Sequence, residues 1–294
     1  MPAKNNDGPK LEDVPVVTLE SWDDLEPVYG ESRRYEIVRD GVKFEFFAHF
    51  KRKSPYLYAW GQGAADRAKL DPPVFQRWSW AHECPHSVLI FSDSTLYLGK
   101  INLGWCMGTA EHYYLPYYVE ALRAVLKALG LGSEKLLLYG SSAGGFVSLM
   151  LGGHIPEATI VVNNPQIDLT KYKEYHIAAL MEYCFDGMDL AEARAKYADR
   201  LVVWELYRKK QIIPKIYYLQ NILDYLHFEN HFKPFMNALS NIPVPEGLPF
   251  TRYVRVDLYL RSDVKFLHGP LGKEDTEAAI EHGRRLFMED GPDW

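Results

Sequence analysis

The chain has 294 residues, 47% of them hydrophobic and 24% charged, with a formal net charge of −6. That length buries a large core, as one α/β domain or two smaller ones, and the negative balance argues against nucleic acid or an anionic membrane as the main partner. Three cysteines, Cys84, Cys106 and Cys184, lie far apart with no C-x-x-C pattern, so neither a disulfide framework nor a cysteine zinc site is expected.

Residues 1–14 are polar and carry no apolar h-region, and no apolar run approaches the ~20 residues of a spanning helix. The expectation is a soluble, cytoplasmic protein without a membrane span. Residues 1–30 read as a polar N-terminal arm. Arg34–Arg39 and Val42–Phe50 then flank Asp40-Gly41, a two-residue hairpin signal between β-rich runs. Tyr56–Trp60 predicts a third strand, ending in Gly61-Gln62-Gly63-Ala64. An aromatic cluster, Phe75-Gln76-Arg77-Trp78-Ser79-Trp80, precedes a buried strand at Val88–Phe91. Apolar residues from Leu115 to Leu129 recur at helical spacing, with Pro116 in the first turn and Gly130 at the end.

Next comes a strand at Lys135–Tyr139 and, at its end, Gly140-Ser141-Ser142-Ala143-Gly144, a Gly-x-Ser-x-Gly turn leading into a helix to about Leu151. Glycines at 140 and 144 suit a turn in which backbone passes close to backbone. Such a turn pushes the Ser142 hydroxyl up at the end of a sheet, beside a helix N-terminus, as a serine nucleophile requires. Ala158–Val162 is the next strand. Residues 170–185 and 189–211 read as helices, the second opened by Asp189 with Glu192 three residues later. Strand signals return at Ile216–Leu219 and Tyr253–Leu260, and a last helix spans about 273–288. Strands alternating with helices predict an α/β fold with a mostly parallel sheet covered on both faces. The expected organisation is a core of residues 31–164 and 213–294 interrupted by a helical insertion, 165–212, that is a candidate lid.

Ligands of open α/β sheets bind beyond the carboxyl ends of the strands. Those ends carry Ser142, then Asp224 after Leu219, then His268-Gly269-Pro270 after the last strand, and the Gly61–Ala64 loop after Trp60. At this point the chain resembles the α/β-hydrolase superfamily, through its elbow motif and the chain order Ser142, Asp224, His268. The resemblance spans about residues 34–290. It implies that fold, Ser142 as nucleophile, His268 as general base then acid, and Asp224 orienting the imidazole. It implies an oxyanion hole from the backbone N–H groups of Ala143 and Gln62, although Gly61-Gln62-Gly63 departs from the commoner His-Gly start of that loop. No cofactor or metal is implied. Phe75-Gln76-Arg77-Trp78, the elbow and Asn163-Asn164-Pro165-Gln166 are also similar to hydrolase-like proteins associated with bacterial surface polysaccharides, which implies glycan esters as substrates.

Rival assignments follow from the residues. Asp224, His227 and His231 share a spacing that suits three metal ligands on one helix face, although Pro234 is expected to break that helix. His227 is otherwise a candidate pocket residue. Asp168 and Asp263 compete with Asp224, the first more simply a helix N-cap and the second a loop salt bridge. Arg77 and Trp78 are candidate substrate-binding residues, as a carbohydrate or aromatic platform. The leading function is a carboxylesterase-type serine hydrolase. Its alternatives are acyl transfer to an alcohol by the same residues and a non-catalytic binding protein.

Overall fold

Asp40 and Gly41 both adopt positive φ, 48° and 77°, which is the backbone twist a two-residue hairpin needs. They join β2 (Ser32–Arg39) to β3 (Val42–His49) with Arg39 opposite Val42. The computed structural model describes residues 10–243, 252–263 and 267–289. Within them a nine-stranded sheet runs in the order β1-β2-β3-β5-β4-β6-β7-β8-β9. The other strands are β1 (Val16–Leu19), β4 (Leu57–Trp60), β5 (Ser87–Phe91), β6 (Leu136–Ser141), β7 (Thr159–Asn163), β8 (Lys215–Asn221) and β9 (Val254–Tyr259). Only β3 runs against the rest; all other pairings, from β5–β4 through β8–β9 and β1–β2, are parallel.

Part of the segment expected as a loose arm is sheet. Val16-Val17-Thr18-Leu19 is β-branched enough to pair with Arg34–Ile37, and Leu19 is buried. Residues 1–9 of that arm lie outside the described residues.

The central strands are apolar on both faces because both faces are covered. Leu136 and Leu138 of β6 enter one core, with α1 (Leu115–Leu129) and α2 (Ala143–Gly152); Leu137 and Tyr139 enter the other, with Ala279 and Ile280 of α9 (Lys273–Phe287). Gly130 ends α1 in the left-handed conformation at φ 68°.

The insertion holds α3 (Glu174–Cys184), α4 (Leu190–Lys196), α5 (Ala198–Leu201) and α6 (Val203–Lys210). The single helix expected over 189–211 is three. Asp189 caps the first through the N–H groups of Ala191 and Glu192. Extended backbone at Val202, which bridges to Asp168, interrupts the ladder. Ile177, Leu180, Leu201, Leu206 and Tyr207 sink into the same core as α1 and α2. Arg200, also buried, donates to the carbonyls of Met107, Thr109 and Ala110. Pro234 does not end the helical stretch begun by α7 (Tyr225–His227). A π-helical turn at Phe228–Phe232 precedes α8 (Lys233–Leu239), so the proline falls in a first turn where its missing N–H costs nothing.

One buried side chain joins the ends of β8 and β9. Asn221 Nδ2 donates to the carbonyls of Arg261 and Leu267 at 2.8 and 2.9 Å, and Oδ1 accepts from the N–H groups of Arg261 and Leu223 at 3.1 and 3.3 Å. Replacing it strands four part-buried backbone groups. Asn221→Ala is therefore expected to lower unfolding stability by about 2–4 kcal/mol. Urea denaturation checks this; an unchanged midpoint would remove Asn221 as the tie between these loops.

Candidate active site

The elbow between β6 and α2 is shaped by contacts that exclude side chains. A Cβ on Gly140 would sit 2.1 Å from backbone atoms of Gly144, and one on Gly144 would sit 2.7 Å from the carbonyl oxygen of Gly61. With that space available the chain doubles back at Ser142, whose φ and ψ are 54° and −119°. This is a strained conformation for a non-glycine residue. It is held by hydrogen bonds from Ser142 N to Asn163 O and from Gln166 N to Ser142 O, at 3.1 and 3.2 Å.

Ser142 Oγ lies 2.9 Å from His268 Nε2, and His268 Nδ1 lies 2.5 Å from Asp224 Oδ2. The three residues that the sequence places at successive strand ends thus stand in one hydrogen-bonded line. A fourth residue extends it. His227 Nδ1 meets Asp224 Oδ1 at 3.0 Å, and its ring stacks on His268 with centroids 3.8 Å apart and planes 9° apart. His227 is buried and so does not line the cavity, as the sequence reading had allowed. Burial opposes ionisation of Asp224, but hydrogen bonds from His227 and His268 outweigh it and hold the carboxyl below the usual range. Burial also brings His227 down to about 4, against the pull of Asp224. Both shifts agree with a neutral His227 that donates its Nδ1 proton to a carboxylate.

Two donors near Ser142 stand free. Among the described residues neither the Ala143 nor the Gln62 backbone N–H has a protein partner. The Gln62 side chain points away, accepting from Asp93 N at 3.0 Å. Gln76 clamps the same loop, accepting from Gly63 N at 2.9 Å and donating to Ala64 O at 2.8 Å.

Gln166 was not singled out as a site residue from the sequence. Its Oε1 accepts from Trp105 Nε1 at 2.7 Å, which turns Nε2 toward Ser142 Oγ at 2.9 Å. With that acceptor position filled, the serine proton is directed at His268. The only sequence signal was a polar Asn163-Asn164-Pro165-Gln166 run after a strand. Tyr172, from the insertion, stands beside Gln166 and Ser142; burial pushes its phenol up to about 12.

A cavity of about 280 Å3 opens over Ser142 and His268, with Arg77 and Lys173 on its walls. Trp78 is not among them: its ring packs against Phe47 at 5.9 Å in the core on the other side of the loop. Asp168 caps a short helix and pairs with Arg194, and Asp263 pairs with Arg261, both at hydrogen-bond distance. The metal-like set also resolves differently. Donor atoms of Asp224, His227 and His268 lie within 4.8 Å of one another, but they face each other directly as hydrogen-bond partners. His231 instead accepts from the N–H groups of Ile167 and Asp168.

No family model matches the chain, and no curated protein matches it. Solved structures do. The capsule O-acetyltransferase of Neisseria meningitidis serogroup A aligns over 86% of this chain and 92% of its own, with 16% identity and a TM-score of 0.59. An S-formylglutathione hydrolase from Agrobacterium tumefaciens aligns over 89% and 98%, with 14% identity and a TM-score of 0.57. A glycosylation-associated protein complex from Streptococcus agalactiae aligns over 88% of this chain and 47% of that one, at 15% identity and a TM-score of 0.58. At such identities the likeness is one of architecture, and together with the sheet order and the elbow it gives the conclusion that this chain has the α/β-hydrolase fold.

Proposed function

We propose that the chain is a serine hydrolase that cleaves an acyl ester, with Ser142, His268 and Asp224 as its catalytic residues. The observation that carries this reading is the continuous line from Ser142 Oγ through His268 to Asp224, at 2.9 and 2.5 Å. Ser142 Oγ attacks the ester carbonyl while His268 Nε2 takes its proton. Charge on the carbonyl oxygen is met by the N–H groups of Ala143 and Gln62, free donors beside a helix N-terminus. His268 returns the proton to the leaving alcohol, and the carboxylate of Asp224 balances the imidazolium between these steps. Water, activated by His268, then releases the acyl group from Ser142.

His227 keeps Asp224 aimed. Its neutral ring donates to one carboxylate oxygen and leaves the other to His268, and its stacking fixes the plane of the His268 imidazole. Residues 165–212 act as a fixed roof, because their helices share the core with α1 and α2 and carry Tyr172 and Lys173 to the serine. The described residues include no helix long and apolar enough to cross a membrane.

A second reading is acyl transfer to a sugar hydroxyl by the same residues. The architecture shared with a capsule O-acetyltransferase favours it, as does the insertion above the serine. Glycan hydroxyls would then be the acceptors and glycan esters the products, and product analysis with and without a carbohydrate acceptor separates the two readings.

A fluorophosphonate probe read by intact mass tests the machinery without a known substrate. One adduct is expected on the wild type, none on Ser142→Ala, and labelling at least about 10³-fold slower on His268→Ala. A folded wild type that takes no adduct would defeat the proposal. A second expectation concerns pH. A histidine held at about 4 when folded, against 6.5 when unfolded, contributes stability that is fully present above pH 6.5 and lost as pH falls toward 4. His227→Gln, which still donates to Asp224 but does not titrate, is expected to flatten that part of the stability–pH curve by about 1–3 kcal/mol. Chemical denaturation at a series of pH values reads it, and an unaltered slope would mean that His227 is charged in the fold.

A further inference from the structure

Resting on the ester-cleaving reading of Ser142, we propose that the alcohol portion of the substrate carries an anionic group, a carboxylate or phosphate, bound by Arg77 with Lys173. Ten described residues line the cavity over Ser142: Arg77 and Lys173 are the cations among them, and none is a carboxylate. This stands out in a chain of net charge −6. Asp224 is hidden behind the two imidazoles and committed to both of them.

Among the described residues the Arg77 guanidinium has no counter-ion, and it is held by other contacts. Nη2 donates to Ser141 Oγ at 3.0 Å, next to the nucleophile in the chain. The charge lies 5.4 and 5.6 Å from the ring centres of Tyr139 and Trp80. Aromatic faces hold a cation in place but leave its charge in force. Nη1 is buried with no acceptor among the described residues, and no ion pair to a described carboxylate exists. The side chain as a whole is half-buried at the cavity wall, so its charge is partly screened by solvent but not neutralised by a described carboxylate. The backbone concedes something as well: Arg77 sits at φ 65°, a left-handed position uncommon for a residue with a side chain. Lys173 also lines the cavity, exposed and without a described carboxylate partner.

These cations share the cavity with His268, Gly269 and Pro270. His268 must protonate the departing oxygen, so the leaving alcohol lies on this side of the scissile bond. A planar, forked guanidinium suits a carboxylate or phosphate, and Lys173 adds a mobile point charge.

The test uses three aryl acetates that share the acetyl group and differ in the phenol: 4-acetoxybenzoate, 4-acetoxyphenyl phosphate and methyl 4-acetoxybenzoate. Each is measured on the wild type, Arg77→Met, Arg77→Lys and Lys173→Met. The expected result is that the preference for an anionic over the neutral ester, as a ratio of kcat/KM, falls at least tenfold in Arg77→Met, chiefly through KM. Arg77→Lys should recover part of it, and Lys173→Met should lose less. Comparing ratios between variants cancels the intrinsic reactivity of each ester. Which anionic ester loses more distinguishes carboxylate from phosphate. An unchanged ratio in Arg77→Met, with that variant folded and still labelled by the fluorophosphonate, overturns the proposal. Calorimetry of phenylphosphonate and its neutral dimethyl ester with Ser142→Ala protein reads the anion site without turnover. Anion binding that Arg77→Met removes, together with a folded wild type that takes no fluorophosphonate adduct, supports the anion site while the hydrolase reading fails. No preference for the anion there counts against the site.

Discussion

Everything at the site depends on three backbones being allowed to touch. Gly140, Gly144 and Gly61 come so close that a single Cβ would force the elbow and the neighbouring loop apart. The contact does two things at once. It permits the reversal that holds Ser142 at positive φ, and it brings the Gln62 peptide against the first turn of α2. Candidate nucleophile and candidate oxyanion donors are therefore placed by the same close packing, and β4, β6 and α2 cannot shift independently without separating them. The sheet supports this because β4 and β6 are neighbours in register, with Trp60 opposite Tyr139.

A second group of constraints acts on the proposed acid and base. Asp224 and His268 are carried by loops after β8 and beside the end of β9, and loops alone are poor rulers. Here the loops are fastened by side-chain amides. Asn164 receives the Asn221 N–H, and Asn163 and Asn164 both donate to the Tyr259 hydroxyl. Buried amides can be costly when half satisfied; Asn163 Oδ1 has no partner among the described residues, but Asn164 and Asn221 use both their amide groups, which favours a single arrangement. The imidazole pair then works within a frame already set.

How much of this could be read from residues alone varied with the range of the interaction. The hairpin at Asp40-Gly41, helix α1 and the elbow are local patterns, and each lies where its sequence signal put it. Ser142, Asp224 and His268 could be ordered along the chain by counting strand ends, because chain order and sheet topology constrain each other. What escaped were contacts made across long separations. Trp78 belongs to an aromatic run that looks like a platform, yet the ring packs on Phe47, 31 residues earlier in the chain. His227 and His231 share a helical spacing with Asp224, but stacking with His268 and the N–H groups of Ile167 and Asp168 claim them separately. Gln166 has no motif of its own; its orientation comes from Trp105, 61 residues away. The strand at Val16–Leu19 hides in a polar segment because an edge strand needs only one buried residue in its burial pattern.

The amide of Asn221 bonds one carbonyl on each side of the stretch between Arg261 and Leu267. The bond at Leu267 ties the chain just before His268 back to the end of β8. The imidazole therefore takes its position from the strand that also leads to Asp224, so that both partners of the Nδ1–Oδ2 bond are referred to one rigid element and move together when the sheet moves.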